Sequence, residues 1–187
     1  MALWGRPLTN NTGAAIQAGW SLLSTECRDP AEVGPVRQRT LTWQTVLAAI
    51  RRVGVPASQV HAPAYTLVNL ETTFWTGADE IDRSLSLIGF AVDVEVTPTS
   101  YTWNWGDGTS TTTQTPGRPY PSKDVTHTYA HATRDKPPVA LSVDTTYTAQ
   151  YRVDGGAWQQ IPEQLVINGP AATMPVREAS AVLVADD

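Results

Sequence analysis

Cysteine, long apolar stretches and runs of like charge are scarce in this sequence of 187 residues. Cys27 is the only cysteine, which excludes an intrachain disulfide and a zinc site built from several cysteines. No stretch of about 18 apolar residues occurs, so we predict no integral membrane segment. The 13 Lys and Arg and 18 Asp and Glu residues give a net charge of −5 without a basic cluster. We therefore expect no nucleic-acid partner and no polybasic membrane contact.

Proline, glycine and threonine are abundant instead. Fourteen Pro, thirteen Gly and many Thr residues favour short strands joined by turns over long helices. Apolar residues make up 41% and charged residues 17%, which is ordinary for a globular protein with enough apolar material for a core. The length fits one mainly β domain of about 100 residues with attached segments.

Residues 1–39 are the least regular part of the sequence. They have no sustained hydrophobic period and are rich in Asn, Thr, Gly and Pro, so we interpret them as an irregular N-terminal arm. Residues 14–23 are the one candidate helix there. No compact apolar run followed by a small-residue cleavage site is present, so the printed sequence shows no export signal. A start codon assigned too far downstream would remove such a signal, which leaves export open.

An amphipathic helix followed by a linker is predicted for residues 40–63. Its apolar positions recur at i, i+3, i+4 and i+7, which defines one stripe on a helix. They are Trp43, Val46, Leu47 and Ile50. Thr40 or Thr42 can cap the start, and Gly54 and Pro56 follow as stop signals. We expect the stripe to dock on the chain's own β domain, or alternatively to recruit another chain.

Residues 64–168 are predicted to form the main β domain, because short alternating segments follow one another between turn signals. Asp154-Gly155 between two such segments is a strong hairpin signal. The tail, 169–187, can add one strand near residues 182–184 or cover the surface. About seven short strands indicate an immunoglobulin-like antiparallel sandwich. The predicted strands lie within 64–76, 84–98, 101–105, 109–113, 124–132, 143–153 and 157–167.

The segment "YTWNWGDGTST" (101–111) carries the most distinctive pattern. Tyr101, Trp103 and Trp105 alternate, so they share one face of a strand, and that face belongs in a core. The strand then ends in a turn in which glycine tolerates positive φ and the Asp side chain can accept hydrogen bonds from backbone amides just ahead. The turn residues are Gly106, Asp107 and Gly108.

The motifs "WNWGDGTS" (103–110) and "HTYAHA" (127–132) resemble those of the polycystic kidney disease (PKD) domain. The run from about 41 to 184 is similar to actinobacterial PKD-containing proteins of the exported or cell-envelope type. The resemblance implies a seven-stranded sandwich with Trp103 or Trp105 in the core and Asp107 organising the turn. It also implies that His127 and Tyr129 belong to a structural strand, and that the protein is extracellular or in the cell envelope.

Two departures from the common PKD pattern affect the loops. The loop between the Gly-Asp-Gly turn and His127 is longer than usual. Residues 130–138 replace the usual short turn that contains glycine. Both changes fall in loops, and the predicted sandwich does not depend on them.

Two patterns invite a chemical interpretation. His127 and His131 are four residues apart, but in a strand they would lie roughly 13 Å apart, too far to share one ion. Asp93 and Glu95 share a strand face, with Glu71 as a third candidate, so a hydrolase carboxylate pair is conceivable. A solvated sheet face explains the same pattern, and turn capping explains Asp107 better than calcium does. We predict no catalytic residue, no metal and no cofactor.

Tyr120 and Trp158 are the candidate binding residues, because aromatic side chains in loops can stack on sugars or anchor a protein. Packing within the domain is the alternative role for both. The sequence therefore predicts a non-catalytic binding or spacer module of a bacterial surface or secreted protein that contacts protein or polysaccharide. Alternatives are an accessory domain of a secreted hydrolase, a small hydrolase using Asp93 and Glu95, and an intracellular or envelope assembly component.

Overall fold

The computed structural model describes residues 2–5, 21–25, 40–134 and 136–179. The chain divides into two compact units, Met1–Thr40 and Leu41–Asp187. In the described ranges, no helix combines the length and the apolar character needed to cross a membrane.

The first unit contains one antiparallel pair of strands, β1 (Ala2–Gly5) and β2 (Ser21–Thr25). The structure therefore has strands in a segment that the sequence suggested was irregular. Part of the candidate helix over 14–23 falls on β2, and its remaining residues lie outside the described ranges.

The predicted amphipathic helix of the second unit is confirmed as α1 (Trp43–Val53). The Thr42 side chain accepts a hydrogen bond from the Thr45 backbone N–H, which satisfies one donor of the first turn. At the other end, the Gly54 N–H donates to the Ile50 carbonyl at 2.9 Å. The helix buries the predicted stripe, whose fully covered members are Val46, Leu47 and Ile50.

The second unit is mainly β, and its described part has twelve strands, many of only two residues, where about seven were predicted. In chain order they are β3 (Val60–His61), β4 (Thr66–Leu67), β5 (Thr72–Thr73), β6 (Trp75–Thr76), β7 (Ile81–Leu87), β8 (Phe90–Asn104), β9 (Ser110–Thr113), β10 (Thr126–His127), β11 (Val139–Val153), β12 (Gln159–Ile167), β13 (Ala172–Met174) and β14 (Val176–Arg177).

One six-stranded antiparallel sheet organises these strands. Its central path is β12-β11-β8-β7, with β13 added to the edge of β11 and β9 to the edge of β8. The β11–β12 pair confirms the hairpin predicted from Asp154-Gly155. The short strands form the antiparallel pairs β3–β6 and β5–β10 and the parallel pair β4–β14.

The two central strands, β8 and β11, have fifteen residues each and pair along the sheet with one irregularity. Ser100 of β8 lies opposite Thr146 of β11. The next pair is Pro98 and Tyr147, so Thr99 is an extra residue that forms a β-bulge.

The bulge decides which β8 side chains face the core. Before the bulge the buried positions are even-numbered, and after it they are odd-numbered, because one extra residue shifts the two-residue alternation. The buried residues of β8 are Val92, Val94 and Val96, then Tyr101 and Trp103. Strand β11 keeps odd numbering throughout, so both sets lie on the same face of the sheet.

That face carries two hydrophobic cores. In the first core, α1 packs against the valines of β8 and against β11 and β12. Strands β11 and β12 contribute Tyr147, Ala149, Tyr151, Ile161 and Leu165. The second joins the aromatic half of β8 to the short strands and loops, which contribute Val60, Phe74, Val125, Tyr129, Met174 and Val176. The helix and the short strands thus form a second layer over one face of the sheet, a β-sandwich-like arrangement.

The predicted strand over 84–98 was wrong, because it crosses the turn between β7 and β8, and the one over 101–105 is the end of β8. Two other strand predictions were too long. Residues 64–76 form three short strands, because Asn69 has a positive φ of 58° and the Leu70 N–H turns back to the Leu67 carbonyl. Residues 124–132 keep only β10, after which the Tyr129 carbonyl accepts a hydrogen bond from the Asn69 N–H. The predicted tail strand at 182–184 lies outside the described residues.

Candidate binding site

The Gly-Asp-Gly turn joins β8 to β9 and is closed by the Asp107 side chain. Its Oδ1 accepts hydrogen bonds from the Thr109 backbone N–H at 2.9 Å and from the Thr109 hydroxyl at 2.6 Å. The flanking Gly106 and Gly108 have φ of +77° and +91°, which L side chains rarely adopt. Asp107 therefore holds the turn as the sequence predicted.

His127 connects this turn to the later strand β10. Its Nε2 lies 2.8 Å from Asp107 Oδ2, and its ring stacks on that of Trp105 with centroids 4.6 Å apart. Tyr129 meets the His127 ring edge-on, and its hydroxyl donates to the Trp105 carbonyl at 3.0 Å. The predicted motif residues thus form one cluster, in which Tyr101, Trp103 and Trp105 are buried. His131 is exposed four residues further on.

The electrostatics of this cluster favour an ionised Asp107. Burial by itself would raise the pKa of Asp107, but hydrogen bonds from Thr109 and His127 stabilise the carboxylate and hold the pKa below its usual value. Burial raises the pKa of the Tyr129 hydroxyl, which stays protonated as a donor. In the described part of the chain, no three His, Cys, Asp or Glu side chains come together as a metal site.

Acid should weaken the fold through Asp107. A carboxyl whose folded-state pKa is depressed contributes stability above the unfolded value of about 3.9, and that contribution is lost as pH falls through the folded value. We expect Asp107→Asn to be less stable than wild type at about pH 7 and to lose less stability between about pH 5 and about pH 2.5. Urea unfolding at each pH measures the difference. Equal losses of stability in the two proteins would contradict the role of Asp107. Thr109→Val removes one hydrogen bond to the Asp107 carboxylate, so it should also lose less stability in acid than wild type, by a smaller amount than Asp107→Asn.

A groove of about 540 Å³ is the strongest candidate for ligand binding. The segment around β3 and β4, the strands β5 and β6, and the loop from β9 to β10 supply its walls. The side chains that give it chemical character are His61, Tyr65, Leu70, Glu71, Trp75, Tyr120 and Lys123. Tyr65, Leu70 and Tyr120 are all exposed large hydrophobic residues, so the groove concentrates apolar surface that faces solvent.

The loop that carries Tyr120 is fixed on both sides. Before Tyr120, the Pro116 carbonyl accepts a hydrogen bond from the Thr76 N–H at 2.8 Å. After it, Lys123 Nζ lies 2.5 Å from Glu71 Oε2, and this ion pair lowers the pKa of Glu71 and raises that of Lys123. Tyr120 is therefore presented by an anchored loop.

The three groove aromatics differ in what already covers them. The His61 ring stacks on Trp75 with centroids 3.7 Å apart and an interplanar angle of 7°. The Arg177 guanidinium lies over the Tyr65 ring, 4.3 Å from its centroid. Tyr120 is 82% exposed. Tyr120 is therefore the most exposed aromatic side chain of the groove.

Trp158, the second candidate binding residue, lies outside the groove and packs against its own domain. The Arg152 guanidinium sits 4.8 Å from the Trp158 ring centroid, and Arg152 Nε donates to Asp93 Oδ2 at 2.9 Å. Trp158 is 41% exposed. Of the two aromatic residues that the sequence suggested for binding, only Tyr120 therefore lies in the groove.

The carboxylates proposed for hydrolysis are held in cross-strand hydrogen bonds on the polar face of the sheet. Ser84 donates to Asp93 at 2.6 Å, and this bond and Arg152 lower the pKa of Asp93. Gln150 donates to Glu95 at 2.6 Å. Glu71 is in the groove instead, so the three carboxylates do not form one site.

A hydrogen bond between Glu80 and Glu95 adds a fourth carboxylate to this face. It raises the pKa of Glu80 and lowers that of Glu95. Because each of these carboxylates also bonds to a neighbouring strand or loop, the network ties the strands together.

Sequence reasoning identified Tyr120 but missed the rest of the groove. His61 and Trp75 face each other across the two-residue strands β3 and β6, which are too short to show alternation. Lys123 and Glu71 are far apart in the sequence and meet only through the fold. The aromatic and charged residues near Tyr120 in the sequence were the only available signal.

Comparisons with protein family models, with curated proteins and with solved structures found no match to this chain.

Proposed function

We propose that the second unit is a PKD-type immunoglobulin-like module and that the protein is a non-catalytic binding or spacer component of a bacterial cell surface or secreted protein. Its ligand is a protein or a polysaccharide. The contacts among Trp105, Asp107, His127 and Tyr129 support the family assignment, because they join the two motifs on which the resemblance rests. In this proposal these four residues belong to the scaffold.

One observation carries the binding role: Tyr120 is 82% exposed on an anchored loop beside a groove. Large exposed aromatic side chains cost solubility, and rigid aromatics are typical anchors of binding sites. Because the loop is already ordered, little conformational entropy is lost when a ligand binds. An accessory role beside a secreted hydrolase uses the same surface and is the alternative within this proposal.

The test is binding of the purified full chain to isolated actinobacterial cell envelopes. We expect saturable retention that weakens by about tenfold or more in Tyr120→Ala, the effect usual for an aromatic hot spot. Trp158→Ala is the matched control, because it removes an aromatic outside the groove and should bind as wild type. Sedimentation of the bound fraction over a range of protein concentrations measures both affinities.

Equal retention of wild type and Tyr120→Ala would refute the groove as the binding surface. Self-association that increases with concentration, without envelope binding, would favour the assembly alternative. Both outcomes are separable from misfolding, since thermal unfolding of Tyr120→Ala should match that of wild type for so exposed a residue.

A further inference from the structure

We infer that the groove binds a neutral polysaccharide, with one sugar ring stacked on Tyr120 and its hydroxyl groups bonded by Lys123 and Glu71. The inference rests on the proposed binding function and names the ligand class of the same groove.

The aromatic surface fits a sugar ring. A pyranose presents a flat patch of C–H groups that packs on the face of an aromatic ring, and Tyr combines such a face with a polar hydroxyl. Tyr120 is 82% exposed and carried on an anchored loop, so its ring is accessible to a long chain lying across the surface.

The polar groups beside Tyr120 fit sugar hydroxyls. Lys123 has three N–H donors, of which one is used on Glu71. The Glu71 carboxylate also accepts a hydrogen bond from the Thr126 hydroxyl at 3.4 Å, and its remaining lone pairs can accept others. Hydrogen-bond donors on Lys123 and acceptors on Glu71 therefore lie next to each other. A sugar needs both, because its hydroxyl groups donate and accept hydrogen bonds.

The charge beside Tyr120 favours a neutral ligand. Lys123 and Glu71 carry opposite charges there and neutralise each other, and Arg177, which lies over the Tyr65 ring, is a further cation near the groove. An acidic polysaccharide would meet the Glu71 carboxylate, and a basic one the Lys123 ammonium group. A neutral chain meets neither repulsion.

A proline-rich peptide fits less well. Such peptides insert proline rings between neighbouring aromatic side chains. In this groove His61 stacks on the Trp75 ring and Arg177 lies over Tyr65. Tyr65 and Trp75 thus already have partners on their rings, whereas Tyr120 is the most exposed aromatic and has hydrogen-bonding groups beside it, which favours a sugar over a row of prolines.

The experiment measures binding of the full chain to cellulose, chitin and mannan as neutral probes, with heparin as the acidic probe and poly-L-proline as the peptide probe. We expect retention on at least one neutral polysaccharide, a loss of about tenfold or more in Tyr120→Ala, and retained binding in Tyr120→Phe, which keeps the ring. Lys123→Met, which removes the donors and leaves a side chain of similar length, should also weaken binding. Trp158→Ala should not.

Three outcomes would overturn the inference: no retention on any neutral probe, neutral binding that survives Tyr120→Ala, or a preference for heparin or poly-L-proline. If envelope binding still depends on Tyr120 while the neutral probes fail, the binding function stands and only the ligand class is wrong. If neither kind of binding depends on Tyr120, the proposed function fails as well.

Discussion

Gly106→Ala is expected to lower the free energy of unfolding by at least about 3 kcal/mol, whereas Gly108→Ala is expected to cost about 1–2 kcal/mol. Both glycines have positive φ, so both substitutions pay the strain of a left-handed residue. At Gly106 an added Cβ would also lie 2.5 Å from the Ala140 carbonyl oxygen and 2.8 Å from the Ala140 nitrogen. At Gly108 nothing lies within 4 Å.

The Gly106 clash is severe because its partner is backbone of β11, which cannot rotate away as a side chain can. Gly108→Ala is therefore the matched control, since it shares the strain but not the clash. Urea unfolding followed by tryptophan fluorescence gives both values. Similar costs for the two substitutions would show that the close approach of the turn to β11 does not limit stability.

Insertion of one alanine after Thr99 is expected to abolish cooperative folding. With a second extra residue, the valine half and the aromatic half of β8 would point to opposite faces of the sheet, and one of them would lose its core. Each fully buried side chain contributes roughly 1.5–3 kcal/mol, so the loss of several equals much of the about 5–15 kcal/mol that stabilises a typical domain. Near-ultraviolet circular dichroism and urea unfolding measure the result.

Thr99→Ala is the control for this insertion, because it keeps the chain length and the bulge. It removes only the hydrogen bond from the Thr99 hydroxyl to the Thr146 carbonyl, at 3.1 Å, and should cost about 1 kcal/mol. If the insertion protein unfolded at the wild-type urea concentration, a fixed alternation along β8 would not be needed to bury both cores.

Alternation predicted the local elements well. It assigned Tyr101, Trp103 and Trp105 to one face, and all three are buried. The apolar stripe, the Thr42 cap and Gly54 located α1 within a residue or two, because helix signals are local in sequence. Asp154-Gly155 located the β11–β12 hairpin for the same reason.

Features that depend on distant residues were not predictable. The position of the bulge at Thr99 follows from the register of β8 against β11. In the sequence, the only sign of the bulge is that the apolar positions of β8 change from even to odd numbers. The β7–β8 hairpin was missed because its turn places Ile88 at a φ of 54°, where a β-branched residue is rare. The groove was missed because its walls come from separate segments.

The pairing of β8 with β11 also sets the order in which the second unit can fold. Partners across this pair are 38 residues apart in the chain for Asn104 and Ser142, and 59 apart for Asp93 and Arg152. Closing loops of that length lowers the chain entropy before stabilising contacts form. The hairpins β7–β8 and β11–β12 join neighbouring segments, so their closure costs less entropy. The two hairpins are therefore the expected early structures, and their docking along the two long strands is the slow step.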